Sequence, residues 1–583
     1  MGRGARQRVC LAAAIAISTW GCRDDAASDP SGGGSADEGE SGDAPSTGAM
    51  EGGSGEDETE GPDDGSDDET AGEDPPPPPS DNVIDVAIWP RMIEGGHTEI
   101  ENDPPEVLCR RMALDFTGRV PSEADVAAHC EGKSPEAMAR SFMTTPEFVA
   151  RQRKLWIQHL GPIPEQVLAD HIIELDPIID DLTTGALGYD AFAVKVSAHP
   201  GFAINRTLAE PEPYEDSARA LTQVFLGRAP QGGELETLAR LFRIWRRDWV
   251  PRYEEGYGYY VYVAALDPGV CADPVLGQLQ CSGTLWGDSV SIDLPIGSEV
   301  LYESIAGAVD PALQTELERV GALLVQQPEF WGEAADHGLR QLLGWWKSTP
   351  AQNETDVAEV RSALAAWFAS TDTHDVRDLY AMIASSILYI RATDLPEDAG
   401  ELPPWAIGPT KAMDATQFLD SLEVVFEREL GFCDPHTNEP VGRNWYWPDR
   451  LRVAQDPDFN GFGFDFYYET ARTLGGCLGP IAEPAQPGLE SLFTHIDLAE
   501  GLCFAGDAPV PEGFDAADLG AANIDALVQH AWARFLTRAP LPAEVDAIED
   551  ARSACASDDT CDAQQFADEL CGALLRSGGF LYY

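Results

Sequence analysis

At 583 residues the chain is long enough for several hydrophobic cores. Its 100 acidic residues against 38 Lys and Arg give a formal charge of −62 and a pI near 4.2. That balance excludes a nucleic-acid partner, which needs clustered Lys and Arg, and it suits divalent cations, basic partners or plain solubility.

Residues 1–22 have the three parts of a lipoprotein-type signal peptide. Three arginines open the chain, an apolar run from Val9 to Ser18 follows, and Gly21-Cys22 closes it. The run is too short to span a bilayer. Cys22 is the expected lipidation site, although Thr19 and Trp20 depart from the usual residues before such a cysteine. Residues 23–82 are Gly, Ser, Asp and Glu with prolines at 75–79. That composition predicts a disordered acidic linker, because it cannot bury enough apolar surface to offset its ordering entropy.

From residue 83 the chain reads as mainly α, built from repeated helix–turn–helix units. Phe116-Thr-Gly-Arg119-Val-Pro121 is followed by Asp125, Phe225-Leu-Gly-Arg228-Ala-Pro230 by Glu234, and Phe535-Leu-Thr-Arg538-Ala-Pro540 by Glu544. The spacing predicts a helix ending at Gly118, Gly227 or Thr537, a turn, and a second helix with the acid in its first turn. Arg119, Arg228 and Arg538 are expected to donate to helix C-terminal carbonyls. Each unit closes on a similar phrase: Phe142 to Phe148, Leu324 to Phe330, and Leu575 to Phe580.

The expected division is 83–205 for unit 1, 206–335 for unit 2 with a β-rich insertion at 249–298, and 336–400 for a degenerate unit. That unit closes on one helix, LYAMIASSILYI. Residues 401–510 mix one amphipathic helix with a loop-rich aromatic region, and 511–583 form the last unit. The Tyr, Val and Ile clusters around glycines at 249–298 are what suggest strands there.

The phrases LDFTGRVPSEADV, FLGRAPQGGEL and FLTRAPLPAEV, with the closing TTPEF and SGGFLYY, resemble helical domains of unknown function. Those domains occur in large exported proteins of planctomycetes and myxobacteria, often beside a cytochrome-c-like domain that this chain lacks. The resemblance implies helical structure and a place outside the cytoplasm, and carries over no catalytic residue.

Without Cys10 and Cys22, ten cysteines remain. In an exported chain an even set reads as disulfides. Sequence neighbourhood pairs Cys109 with Cys130, Cys271 with Cys281 and Cys433 with Cys477. Cys503, Cys555, Cys561 and Cys571 allow more than one pattern, with Cys555–Cys561 and Cys503–Cys571 preferred.

Asp456, Asp458 and Asn460, with Gly461 and Asp465, place oxygens as a calcium loop does, although Tyr467 stands where such a loop has a bidentate Glu. The same residues suit an ordinary Asx-rich turn. Trp445, Tyr446, Trp447, Phe462, Phe464, Tyr467 and Tyr468 could form a sugar-stacking face or a plain core. His436 lies beside Asp434 and Glu439 without metal-ligand spacing, and no catalytic signature is present, so no catalytic residue is assigned. Calcium is the one candidate cofactor.

The expected function is a cell-envelope lipoprotein, bound to the membrane by its N-terminal lipid, whose body is a scaffold for envelope proteins or polysaccharide. The alternatives are an extracellular carbohydrate-binding or carbohydrate-active protein and an accessory to an envelope redox partner.

Overall fold

Asn82, Ser122, Ser134, Asp414 and Asp562 each open a helix, because their side-chain oxygens accept from first-turn amides that have no other partner. Gly96, Gly118 and Gly344 close helices in the left-handed conformation that a Cβ disfavours. A computed structural model describes residues 76–99, 101–160, 175–199, 202, 214–242, 318, 321–345, 354–393, 403–427, 502–503, 508–557 and 561–583. It also gives the backbone of 247–254, 259–266, 294–295, 431–433 and 440–442.

The protein is mainly helical. The chain runs through α1 (Val83–Gly95), α2 (Pro105–Thr117), α3 (Glu123–His129), α4 (Pro135–Phe142) and α5 (Pro146–Leu160). Next come α6 (Asp176–Thr183), α7 (Tyr189–Ser197), α8 (Tyr214–Leu226) and α9 (Glu234–Phe242). Strands β1 (Arg247–Glu254) and β2 (Tyr259–Leu266) pair antiparallel with Val250 opposite Val263, and β3 (Leu294–Pro295) pairs antiparallel with β2.

Beyond them lie α10 (Glu329–Leu343), α11 (Glu354–Ala369), α12 (Val376–Ala384), α13 (Ile387–Ile390) and α14 (Ala415–Phe426). A short antiparallel pair, β4 (Gly431–Cys433) with β5 (Pro440–Gly442), precedes α15 (Ala521–Leu536), α16 (Pro542–Ala556), α17 (Ala563–Leu575) and α18 (Gly578–Leu581). Among the described residues no helix is long and apolar enough to cross a membrane.

Buried side chains gather in two cores. The first draws on residues from Ile84 to Tyr389, with α10 packed against α8, α11 and α12 and with α2 against α4 and α5. The second lies among α14, α15, α17 and α18, and takes Leu114 and Val120 from α2 and the turn after it. α2 therefore serves both cores. Its Met112 and Phe116 face the first and its Leu114 faces the second, as a helix sunk between two apolar bodies must.

Three helix ends share one geometry. Gly118, Gly227 and Thr537 are all left-handed, at φ 79°, 62° and 59°. Two residues earlier stand Phe116, Phe225 and Phe535, each 0% exposed. Each ring meets a second one: Phe148 at 6.0 Å, Phe330 at 6.4 Å and Phe580 at 5.8 Å between centroids. Offset or edge contacts of this kind add to simple burial.

The arginines after these ends do not take up the helix carbonyls. Arg228 binds Glu234 through two bonds of 2.9 and 3.2 Å, Arg538 binds Glu544 through two of 2.7 Å, and Arg119 lies 3.6 Å from Asp125. The reason is the chain reversal. The acid sits in the first turn of the next helix, where it also accepts the amide three residues before it, at Ser122, Gln231 and Leu541. A full carboxylate beside a guanidinium outcompetes a half-charged helix end.

The closing stretch 379–390 is likewise not one helix. It breaks between α12 and α13, where Ser386 Oγ donates to the Ile383 carbonyl at 2.7 Å and Asp85 takes the Ile387 amide at 2.7 Å. The same hydroxyl-to-carbonyl bond stands at Thr145 with Phe142, 2.8 Å, and at Ser577 with Leu574, 2.7 Å.

Two stability changes follow. Truncating Phe116, Phe225 or Phe535 to Ala is expected to cost about 3–5 kcal/mol in urea denaturation. Thr537→Gly should instead gain about 1 kcal/mol, because it relieves a β-branched residue of a left-handed backbone and removes a buried hydroxyl that has no partner. A loss of stability in Thr537→Gly would show that the threonine methyl outweighs the strain.

Candidate functional site

The sequence Arg110-Arg111-Met-Ala-Leu-Asp-Phe116 places two cations and an acid in a helix that is apolar on both sides. Arg110, Arg111 and Asp115 are only 4%, 1% and 4% exposed. Charges buried to that depth must find partners, and each does.

Arg110 reaches toward the second core. It donates to the Phe535 carbonyl at 2.7 Å and the Phe580 carbonyl at 3.0 Å, with its guanidinium 5.5 Å from the centre of the Phe580 ring. Arg111 reaches toward the closing end of the first core. It donates to the Tyr389 carbonyl, lies 5.6 Å from the Tyr389 ring centre, and pairs with Asp103. Burial lowers the Arg110 pKa to about 9, and the nearby Arg538 adds to the effect. It is still a cation at neutral pH, held by the negative ends of two helices.

Asp115 gathers three donors. Tyr389 donates to Oδ2 at 2.8 Å, while Tyr583 at 3.1 Å and Lys411 donate to Oδ1. Lys411 also donates to the Leu342 carbonyl at 3.1 Å, near the end of α10, and lies over the Tyr583 ring at 4.9 Å. Gln417 joins this group to α14 through the Tyr583 hydroxyl at 2.8 Å and the Leu114 carbonyl at 2.9 Å. Burial pushes both tyrosine hydroxyls well above their ordinary pKa, and the neighbouring Asp115 adds to this. Burial also lowers Lys411 in spite of its carboxylate partner. Three donors fill most of what a carboxylate can accept, and the group holds four segments in place.

A second polar group lies inside the first core, between α5 and α10. The ring of His337 stacks on Trp156 at 4.3 Å and sits 4.5 Å from that of His159. Glu333 pairs with Arg340 at 2.7 Å, and Asp336 with Arg361 at 2.8 Å. Tyr380, on α12, donates to Gln152 at 3.2 Å, while Tyr189 Oη and His337 Nε2 are buried without a partner. Burial drives the His337 pKa well below its ordinary value, and His159 and Arg340 push it further down.

Among the described residues no three His, Cys, Asp or Glu side chains form a metal-sized group. Asp456, Asp458, Asn460 and Asp465 lie outside the described residues, as do His436, the aromatic residues at 445–468, Cys22, Cys271, Cys281 and Cys477. Only the backbone of Cys433 is described. Among the described residues three cysteine pairs are bonded. Cys109–Cys130, Cys503–Cys571 and Cys555–Cys561 have Cα separations of 5.7, 5.6 and 5.3 Å. The first ties α2 to the end of α3, and the second ties α17 to Cys503 in the second core. No known family, curated protein or solved structure matches the chain.

One sign of these buried charges is legible in the sequence. Arg110-Arg111 inside a helix with apolar residues on every face cannot reach solvent on both sides.

Two measurements probe this interior. Lys411→Met strands Asp115 and is expected to cost about 3–5 kcal/mol, whereas Lys411→Met with Asp115→Leu should recover more than half of that. Equal losses in the single and double variants would show that the two groups are not coupled.

His337 bears on acid stability. Its folded pKa lies below the unfolded value near 6.5, so the unfolded chain binds more protons below that pH. Stability then falls as pH drops through about 6.5, by up to about 1.4 kcal/mol per pH unit. Asp420, which burial raises to about 6, opposes this between its ordinary value and pH 6. His337→Phe should therefore flatten the profile most clearly between pH 6 and 6.5. An unchanged profile there would mean that the ring is protonated in the folded protein.

Proposed function

We propose that the chain is an exported lipoprotein, anchored through Cys22 to a bacterial cell envelope, with a helical-repeat body that serves as a scaffold for other envelope or extracellular components. The observation that carries the scaffold reading is the recurrence of one turn: a left-handed cap, a buried Phe two residues before it, an Arg after it, and an acid six residues beyond the Arg. Repeats of this kind supply stacked, rigid surfaces.

The finer repeat assignment follows the same lines. Thr145, Ser386 and Ser577 stand at one position of the closing phrase, and Phe148, Phe330, Tyr389 and Phe580 at another. The stretch ending at Gly344 and closing on Tyr389 then serves as the degenerate unit, and the β1–β2 pair between α9 and α10 suits an insertion in unit 2.

Export is supported by the three disulfides, since such bonds persist in oxidising compartments. The scaffold role is supported by buried charges that are spent on holding helices together. The test is a full-length preparation from the envelope of its native cell. Non-reducing peptide mapping should find Cys109–Cys130, Cys503–Cys571 and Cys555–Cys561 linked, and the N-terminal peptide should begin with acylated Cys22. Free thiols at these six positions would remove the export reading. An unacylated Cys22 would remove the anchor.

A further inference from the structure

The buried polar side chains of the first core are matched unevenly. Asp115 is met by three donors, whereas Gln152 Nε2, Trp156 Nε1, Tyr189 Oη and His337 Nε2 have no hydrogen-bond partner among the described residues. These four residues are 0%, 0%, 1% and 6% exposed, so bulk water does not reach them. Leaving four such groups bare would cost a sum comparable to the whole stability of a domain. Something must meet them.

The four stand together. Tyr380, on α12, donates to Gln152 Oε1 at 3.2 Å, and its hydroxyl lies beside the Trp156 indole. The Tyr189 hydroxyl, on α7, shares the neighbourhood of Tyr380, Glu333 and Arg340. The His337 ring is stacked on Trp156 at 4.3 Å.

The chemistry of these atoms narrows the occupant. Gln152 Nε2, Trp156 Nε1 and the Tyr189 hydroxyl are hydrogen-bond donors, which repel a cation. Burial keeps Tyr189 a donor by pushing its pKa well above the usual value. An anion is disfavoured too. The buried carboxylates Glu333 and Asp336 are already balanced by Arg340 and Arg361, so a further negative charge would stand uncompensated. Close ring packing leaves no room for a larger neutral molecule. Ring centres lie 4.3 Å apart for Trp156 and His337, 4.9 Å for Trp156 and Phe192, and 5.2 Å for Tyr189 and Phe330, so no further ring fits between them. The occupant must accept from three donors and either give to or take from His337 Nε2. Water does both and fits a space of that scale.

We infer that Gln152, Trp156, Tyr189 and His337 enclose a binding site for internal water, which joins α5, α7 and α10 through hydrogen bonds the side chains do not make directly. Through Gln152 the same site reaches Tyr380 and α12. It is independent of the export and scaffold readings.

Tyr189→Phe in the full-length protein separates a bare hydroxyl from a hydrated one by sign. Removing a bare buried hydroxyl relieves an unmatched group and raises the Tm. Removing one that holds water strips that water of a bond, and the Tm is expected to fall by about 2–4 °C. The ring is kept, so the variant folds as the parent does. Deuteron relaxation dispersion of the solvent, which counts waters held inside a protein, should find fewer in Tyr189→Phe with His337→Phe than in the parent. Near-ultraviolet circular dichroism checks that this double variant is packed. A raised Tm in the single variant, or an equal count in the parent and the packed double variant, would overturn the inference. So would a non-covalent organic molecule released from the denatured parent in stoichiometric amount, because the occupant would then not be water.

Discussion

Two adjacent arginines on one buried helix hold this protein together. Arg110 and Arg111 leave α2 in different directions, and each ends on the carbonyl and the ring face of an aromatic residue that closes a helical segment: Phe580 for one, Tyr389 for the other. Side chains one position apart on a helix point about 100° apart, so a single helix can serve two cores only if neighbouring residues divide the task. Arginine suits it because its planar fork donates to several carbonyls at once while its face stacks on a ring.

The magnitudes rank the contacts. At the surface, an ion pair such as Arg219 with Glu215 contributes about 1 kcal/mol or less. The recurrent Arg–acid pairs span that range and go beyond it. Arg119 and Asp125 are loosely placed at 3.6 Å, while Glu544 has a side chain only 1% exposed and binds Arg538, the Leu541 amide and Trp532. Burial alone would push the Glu544 pKa up, but those three donors hold it below the ordinary range. The third turn is thus the most heavily bonded of the three.

The local features were the legible ones. Phe116, Phe225 and Phe535 and the left-handed residues after them lie within a few positions of one another, so spacing alone exposes them. The acids that take Arg228 and Arg538 are only six residues away, yet spacing does not mark them. A helix end and a carboxylate are both within reach, and only the reversal at the proline selects the second. Arg119 bonds Glu147, 28 residues on, at 3.2 Å. The break after Ser386 depends on Asp85, which takes the Ile387 amide from 302 residues away, and the roles of Arg110 and Arg111 depend on backbone carbonyls 470 and 278 residues away. Every residue has a carbonyl, so no pattern of side chains marks which one an arginine will find. The proposed calcium loop and aromatic face are outside the described residues and stay as expectations.

The claim that α2 couples two cores through its arginines is tested most directly by hydrogen–deuterium exchange on Arg110→Met. That change keeps much of the apolar stem and removes only the reach to Phe535 and Phe580. The account predicts that peptides from 521–581 exchange about tenfold faster or more, while those from 329–384 keep the protection of the parent. Exchange unchanged in both regions, or raised equally in both, would contradict it.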